Sequence, residues 1–182
     1  MKKSPAQLFL VISLCFLLCF SISCQNQAAM AELEKFKAQA EIEEQNVEIV
    51  REFFESIDNG TQAERTDLFS SDYICHFVGA PEPLPLEVQI QFISFAYKAF
   101  PDNIHIIKDV FAKGDKVAMR VINQGTHQGE WEGIPPTGNK YAYEVMWIFR
   151  LTDGKIAEVW GLEDNLGFMQ QLGMELKPKK KK

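Results

Sequence analysis

The chain has 182 residues, of which 46% are hydrophobic and 24% are charged, a composition typical of a globular domain with a real hydrophobic core. Its formal net charge of −6 argues against general nucleic-acid binding, because nucleic-acid-binding proteins usually carry a basic surface. The four cysteines and three histidines show no spacing typical of a disulfide framework or a zinc site, so we expect no metal.

Residues 1–23 have the features of an export signal. Two lysines precede an apolar run at residues 8–20, which is short for a membrane span and typical of a signal peptide. The Ser-Ile-Ser-Cys that follows resembles the lipobox of bacterial lipoproteins, which implies lipidation of Cys24. We therefore expect an exported, membrane-anchored lipoprotein on the periplasmic or cell-surface side. An ordinary secretory signal cleaved nearby is the alternative.

The mature chain begins with helical patterns. Residues 24–45 are rich in Ala, Glu, Lys and Gln but carry a thin apolar stripe, which predicts a partly helical spacer. The stripe thickens after residue 46, where a core-packed helix is expected to run to Asp58 and to stop at Asn59-Gly60. A short helix or turn is predicted around 63–69, a strand at 72–78 and a helix at 86–100.

Four strands forming two hairpins are predicted next, at 104–112, 116–126, 141–151 and 156–162, with a short final helix at 165–172. The domain thus spans 46–173, and residues 174–182 form a lysine-rich tail for which we expect disorder. Helices followed by antiparallel hairpins predict an α+β fold in which one curved antiparallel sheet wraps over helices.

Several motifs together resemble the SnoaL-like polyketide cyclase family, also called ester cyclases. They are Phe-Pro-Asp at 100–102, Gly-Thr-His-Gln-Gly-Glu at 125–130, Gly-Ile-Pro-Pro-Thr-Gly at 133–138, Asp-Gly-Lys-Ile at 153–156, Trp160, Asp164 and Gln-Leu-Gly at 171–173. The resemblance implies the cone-shaped α+β barrel of nuclear transport factor 2-like proteins, with a pocket for an apolar small molecule. It also implies ring closure by intramolecular aldol condensation without metal or cofactor, with Asp164 as general acid/base.

Strand alternation places Asp164 on the face of Glu158 and Trp160. If residues 152–154 form a three-residue turn, Met146 lies opposite Trp160, and Arg150 joins the same face, which we interpret as a pocket wall. A two-residue turn would instead put Trp147 opposite Trp160. Helix capping is the alternative role of Asp164, and an ion pair with Glu158 is the alternative role of Arg150.

His76 and His127 are the remaining candidates for substrate binding. A satisfied core histidine is the alternative for His76, and anchoring of the following loop is the alternative for His127. His105 carries no motif, and we interpret it as structural.

The opposite sheet face is also apolar, and we expect it to form a homodimer. Its residues are Val117, Met119, Val121, Tyr143, Val145, Trp147, Phe149 and Leu151. A cyclase- or isomerase-type enzyme is the favoured function. A lipid-anchored, non-catalytic module for binding or dimerisation is the alternative.

Overall fold

In the computed structural model, the described part of the chain comprises residues 5–78, 80–175 and 177, with side chains described from residue 27 onward. Residues 1–4, the side chains of the rest of the expected signal peptide and of Cys24, and most of the lysine-rich tail therefore lie outside the described part. The chain divides into two compact units, Met1–Ile42 and Glu43–Lys182. None of the helices in the described part is long and apolar enough to cross a membrane.

Helix α1 spans Pro5–Asp58. In the first unit its large apolar side chains Met30, Leu33 and Phe36 are exposed, in keeping with the thin apolar stripe of the segment expected to be a spacer. The helix ends where the sequence predicts. Gly60 adopts a φ of 71°, and the N–H of Thr61 donates to the carbonyl of Ser56 at 2.8 Å, an arrangement that satisfies the last carbonyls of a helix.

The described part of the second unit contains two more helices and a six-stranded sheet. A 3₁₀ turn at Thr66–Leu68 leads into β1 (Phe69–Phe77), followed by the short β2 (Leu84–Pro85) and by α2 (Leu86–Ala99). Strands β3 (Ile104–Lys113), β4 (Lys116–Thr126), β5 (Lys140–Thr152) and β6 (Lys155–Glu163) precede α3 (Asn165–Gln171). The expected α+β layout of helices and hairpins is confirmed.

The strands form one sheet in the order β2-β1-β6-β5-β4-β3. Strands β3, β4, β5 and β6 pair antiparallel, as expected, whereas β1 pairs parallel to β6. The sheet is therefore mixed, and among the described strands β2 and β3 are its two edges. The prediction of an entirely antiparallel sheet is wrong at β1, because pairing between the first and last long strands depends on the path of the whole chain.

The β5–β6 hairpin corrects the predicted register. Asp153 and Gly154 have φ values of 50° and 71°, so they form a two-residue turn with both residues in the left-handed region. Leu151 pairs with Ile156, but the next recorded pair is Arg150 with Glu158, which leaves Ala157 as a bulge. A bulge inserts one extra residue, so the alternation of faces along β6 reverses after Ile156.

Burial along β5 shows which face of the sheet is the core. Val145, Trp147 and Phe149 of β5 are buried, and the apolar tail of α1 packs against them, with the ring centroids of Phe53 and Phe149 separated by 6.1 Å. Met146 and Ile148 are 49% and 44% exposed. The face expected to line a pocket is thus the outer face, and the face expected to form a dimer is the core.

A second hydrophobic cluster joins the end of α2, the loop after β4 and helix α3. Its buried members are Ala99, Phe100, Trp131, Tyr141, Phe168 and Leu172. The ring of Phe100 lies 5.2 Å from Trp131 and 5.6 Å from Phe168, centroid to centroid. Residues of both clusters line the cavity described next.

Candidate functional site

A cavity of about 420 Å³ lies between the inner face of the sheet and the helices of the second unit. Most of its wall is apolar and aromatic, and its volume falls within the roughly 300–1,000 Å³ usual for small-molecule sites. The polar and ionisable wall residues are Gln89, Tyr97, Asn103, His105, Asn123, Glu132, Tyr141, Tyr143, Glu163 and Asn165. Val78, Phe92 and Glu132 are wall residues with exposed side chains, and they mark its rim.

A glycine shapes this wall. Gly161 of β6 pairs with Trp147 of β5, and a Cβ atom at position 161 would lie 2.4 Å from the Trp147 ring. The indole therefore occupies the space that any other residue at this position would need. Both residues line the cavity, so the absence of a side chain at Gly161 fixes the position of one aromatic wall.

Glu163, the last residue of β6, is a carboxylate on the cavity wall, and unlike the exposed Glu132 of the rim it is partly buried. Because the bulge reverses the alternation, Val159, Gly161 and Glu163 all lie on the inner face, and Glu163 pairs with Val145. Burial raises the pKa of the Glu163 carboxyl. Within the described residues, no hydrogen bond or ion pair joins this carboxylate to another side chain.

Tyr143 and Asn123 lie on the same wall as Glu163. The Asn123 side-chain amide donates to the Tyr143 hydroxyl at 3.3 Å. Burial, and secondarily the charge of Glu163, raise the pKa of Tyr143, so the phenol stays neutral at physiological pH. A neutral phenol is a hydrogen-bond donor that can hold a substrate oxygen.

His105, near the start of β3, is the histidine among the described residues of the wall. Its Nδ1 lies 2.5 Å from Oδ1 of Asp58, the last residue of α1, and its backbone N–H donates to Oδ2 of Asp58 at 3.2 Å. The histidine ring packs at 5.2 Å from the ring of Phe54. The interpretation of His105 as purely structural did not foresee its place on the cavity wall.

The structure places Asp164 outside the cavity wall. Its side chain is exposed, and Oδ1 accepts a hydrogen bond from the N–H of Gly167 at 2.9 Å, so Asp164 caps α3. A Cβ atom at Gly167 would lie 2.2 Å from Oδ2 of Asp164, which explains why glycine stands there. The alternation that was expected to bring Asp164 into the pocket fails because of the bulge at Ala157.

Four other predicted binding residues, His76, Met146, Arg150 and Trp160, lie on the outer face of the sheet. Met146 is half exposed, and the His76 and Trp160 rings stack at 5.2 Å. Glu158 accepts a hydrogen bond from Nε of Arg150 at 2.9 Å and pairs with His76 at 2.8 Å. Burial opposes ionisation of Glu158, but these two partners outweigh it and lower its pKa. The ion-pair alternative for Arg150 is the one observed.

His127 is fully buried and does not belong to the cavity wall. The N–H of Thr137 donates to its Nδ1 at 3.3 Å, and its backbone N–H donates to the carbonyl of Asn139 at 2.9 Å. These bonds tie the two ends of the loop that carries Trp131. Loop anchoring, the alternative for His127, is therefore what the structure shows.

The residues that the sequence did not indicate are Glu163, His105 and Asp58. Glu163 could have been found only by allowing for a bulge in β6, since it lies next to the predicted Asp164. Asp58 and His105 are 47 positions apart and share no local motif. No group of three or more His, Cys, Asp or Glu side chains that could hold a metal occurs in the described part of the chain.

Comparison with known proteins agrees with the fold. Residues 47–172 match the family model of the SnoaL-like polyketide cyclase. The aklanonic acid methyl ester cyclase DnrD of Streptomyces peucetius is 26% identical over 132 residues, which cover 70% of this chain and 90% of DnrD. DauD of Streptomyces sp. (strain C5), which bears the same enzyme name, is also 26% identical and is covered over 81% of its length.

Solved structures of SnoaL-like proteins are similar to this chain as well. IdmH of Streptomyces antibioticus is 27% identical, with a TM-score of 0.64 and coverage of 71% of this chain and 99% of IdmH. A SnoaL-like protein of Jannaschia sp. CCS1 has a TM-score of 0.67 at 24% identity, covering 74% of this chain and 96% of its own. These likenesses confirm the expected nuclear transport factor 2-like α+β fold. With its match over residues 47–172, the chain belongs to the SnoaL-like polyketide cyclase family.

Proposed function

We propose that the domain is a cofactor-independent enzyme of the cyclase or isomerase type, which acts on an apolar, carbonyl-bearing small molecule and uses Glu163 as general acid/base. The observation that carries the proposal is the position of Glu163, a carboxylate without a hydrogen-bond partner among the described side chains, on the wall of an aromatic cavity. Membership of a family whose named relatives include two ester cyclases supports the same class of reaction.

The chemistry needs few groups. A base removes a proton from carbon next to a carbonyl, the enolate carbon forms a bond to a second carbonyl carbon, and the resulting alkoxide takes up a proton. A carboxylate in an apolar cavity is suited to this cycle, because burial brings its pKa closer to neutrality. Such acid/base catalysis contributes about 10²–10⁴-fold to a rate.

The proposal moves the catalytic role from Asp164 to the neighbouring residue. Family resemblance assigns that role to Asp164, whereas the cavity wall contains Glu163 and the helix cap contains Asp164. The two assignments differ in which carboxylate can touch a bound molecule. Substitution of each one separately therefore distinguishes them.

A simple ketone tests this proposal without knowledge of the natural substrate. β-Tetralone, a bicyclic aromatic ketone, exchanges its α-protons for deuterium in D₂O, and proton NMR follows the exchange. We expect the protein to accelerate the exchange and Glu163→Gln to lower the acceleration by about 100-fold or more. Asp164→Asn, the matched control, is expected to keep it.

Three results would count against the proposal in different ways. Loss of exchange in Asp164→Asn with an active Glu163→Gln variant would return the role to Asp164. Saturable binding of β-tetralone without any exchange would favour the non-catalytic binding module. Absence of both binding and exchange would remove the cavity from the function altogether.

For the N-terminal segment we propose export and lipidation at Cys24, with attachment to a bacterial membrane. Support comes from the sequence of residues 1–24 alone. Expression of the full chain in a bacterium fed with radiolabelled palmitate should give a labelled product in the membrane fraction. Cys24→Ser should remain unlabelled, and an unlabelled wild-type product cleaved near residue 24 would favour an ordinary secretory signal.

We also propose that the domain forms a homodimer, through the observed outer face of the sheet. Support comes from the exposure of its apolar residues Met146, Ile148 and Leu162, at 49%, 44% and 60%. Light scattering of the purified protein should give twice the monomer mass, and Ile148→Lys should give the monomer. A monomeric wild-type protein would refute this proposal.

A further inference from the structure

His105 and Asp58 form a pair that has no role in the reaction proposed above for Glu163. The His105 side chain is only 9% exposed, and the residue belongs to the cavity wall. Asp58 receives two hydrogen bonds from the same residue, one from Nδ1 and one from the backbone N–H. Two bonds to one carboxylate fix both the position and the rotation of the imidazole ring.

The partner of Nδ1 also determines where the ring carries its proton. An ionised carboxylate can only accept hydrogen bonds, so Nδ1 must be the donor towards Asp58. In the neutral ring the lone pair is then on Nε2. Within the described residues, Nε2 of His105 has no hydrogen-bond partner. The cavity wall thus contains a ring nitrogen that is ready to accept a proton.

Tyr97 reinforces this arrangement. Its hydroxyl lies 3.1 Å from Oδ1 of Asp58, and it lines the same cavity. Burial raises the pKa of Tyr97, so its hydroxyl keeps its proton and can serve as a donor to Asp58. The Asp58 carboxylate therefore contacts Tyr97 of α2 and His105 of β3. Rotation of this carboxylate away from His105 would break its hydrogen bonds to both residues.

We propose that His105 is a second catalytic residue of the cavity, the base that removes the proton from the substrate carbon, and that Asp58 is the residue that positions it. The proposal rests on the proposed function, since it divides that reaction between two groups. Nε2 of His105 takes the proton from carbon, and the protonated form of Glu163 gives a proton to the alkoxide. One proton then returns from the imidazolium to the Glu163 carboxylate through water, which restores both groups.

Ring closure requires proton transfer at two separate positions of the substrate, which two catalytic groups can reach more easily than one carboxylate. In a ring closure the acidic carbon and the carbonyl oxygen that becomes an alkoxide are different parts of the substrate. A single carboxyl group has to reach both, whereas His105 on β3 and Glu163 on β6 approach a bound molecule from strands that are separated by β4 and β5. Each proton transfer then has its own group already in place.

The exchange of β-tetralone protons in D₂O tests His105 directly, because exchange requires a base. We expect His105→Gln to slow the exchange by about 100-fold or more. His76→Gln is the matched control, since His76 also pairs with a carboxylate, Glu158, but does so on the outer face. Circular dichroism and melting temperature establish that each variant is folded. A folded His105→Gln variant with wild-type exchange would overturn the inference.

Nitrogen-15 NMR of the wild-type protein gives a readout that does not depend on activity. Long-range correlations of the histidine ring should show Nδ1 protonated and Nε2 unprotonated for His105 near neutral pH. Asp58→Asn should lower kcat of the exchange with little change in KM, and should reduce the population of this tautomer. A wild-type ring with its proton on Nε2 would overturn the inference.

The outcomes also separate this inference from the proposed function. If Glu163→Gln slows the exchange and His105→Gln does not, the proposed function stands and the role of His105 is refuted. If His105→Gln abolishes the exchange and Glu163→Gln leaves it unchanged, His105 is supported as the base, and the proposed function is refuted where it makes Glu163 the group that removes the proton from carbon.

Discussion

Truncation of Asp164 to alanine tests whether this residue is a helix cap. The side chain accepts one hydrogen bond, from the N–H of Gly167 at 2.9 Å, at the N-terminus of α3. Loss of an Asp cap costs about 0.5–2 kcal/mol of stability, to which the loss of negative charge at a helix N-terminus contributes roughly 0.3–1 kcal/mol. We therefore expect Asp164→Ala to destabilise the protein by about 1–2 kcal/mol.

The matching family region covers residues 47–172, and for a domain of this size 1 kcal/mol corresponds to about 4 °C in melting temperature. Asp164→Ala should accordingly lower the melting temperature by about 4–8 °C in a calorimetric or circular-dichroism scan. Asp164→Asn should lower it by about 2 °C or less, because asparagine caps helices about as well as aspartate.

Gly167 supplies a sharper version of the same test. The three atoms nearest to a Cβ at position 167 all belong to Asp164, the closest at 2.2 Å. In the wild-type background Gly167→Ala should therefore destabilise the protein. In the Asp164→Ala background the clash is gone, and the higher helix propensity of alanine should stabilise it by about 0.5–1 kcal/mol.

A change of sign between the two backgrounds would establish the cap. If Gly167→Ala has the same effect in both, or if Asp164→Ala leaves the melting temperature unchanged, Asp164 does not hold α3 and the reasoning is wrong.

Three further predictions concern the cavity and the core. Burial raises the pKa of Glu163, so the stability that this group contributes is present at low pH and is lost as the pH rises through its folded-state pKa. Glu163→Gln should therefore raise the melting temperature more near neutrality than below about pH 4. An equal effect at both pH values would contradict burial of the carboxylate. Phe149 is 0% exposed, and Phe149→Ala should lower the free energy of unfolding, measured with denaturant, by about 3–5 kcal/mol. Phe111 is 71% exposed, and Phe111→Ala should lower it by about 0.5 kcal/mol or less. Similar losses of stability in the two variants would contradict the assigned core. Gly161→Ala should displace the Trp147 ring and shift the indole fluorescence of the folded protein, and an unchanged spectrum would show that the wall tolerates a methyl group.

Local patterns were sufficient for the elements of this fold. The stop of α1 at Asn59-Gly60, the helix at 86–100 and the hairpin strands were all predicted within a few residues, because helix capping, turn residues and alternation act over short stretches of chain. The family resemblance identified the fold and the existence of a pocket. The residue to which it assigns catalysis, Asp164, is adjacent to Glu163, the residue proposed here.

Tertiary structure decided which residues reach the cavity. A single bulge at Ala157 reversed the faces of β6 and brought Glu163 inside instead of Asp164. The packing of α1 against Val145, Trp147 and Phe149 made the core from the face that was expected to form a dimer. No local rule could predict it, because both faces of β5 are apolar enough to be buried. The Asp58–His105 pair joins residues 47 positions apart, and such a contact follows only from the packing of α1 against the sheet. The sequence by itself therefore determined the elements and the family, while the chemistry of the cavity depends on strand register and long-range packing.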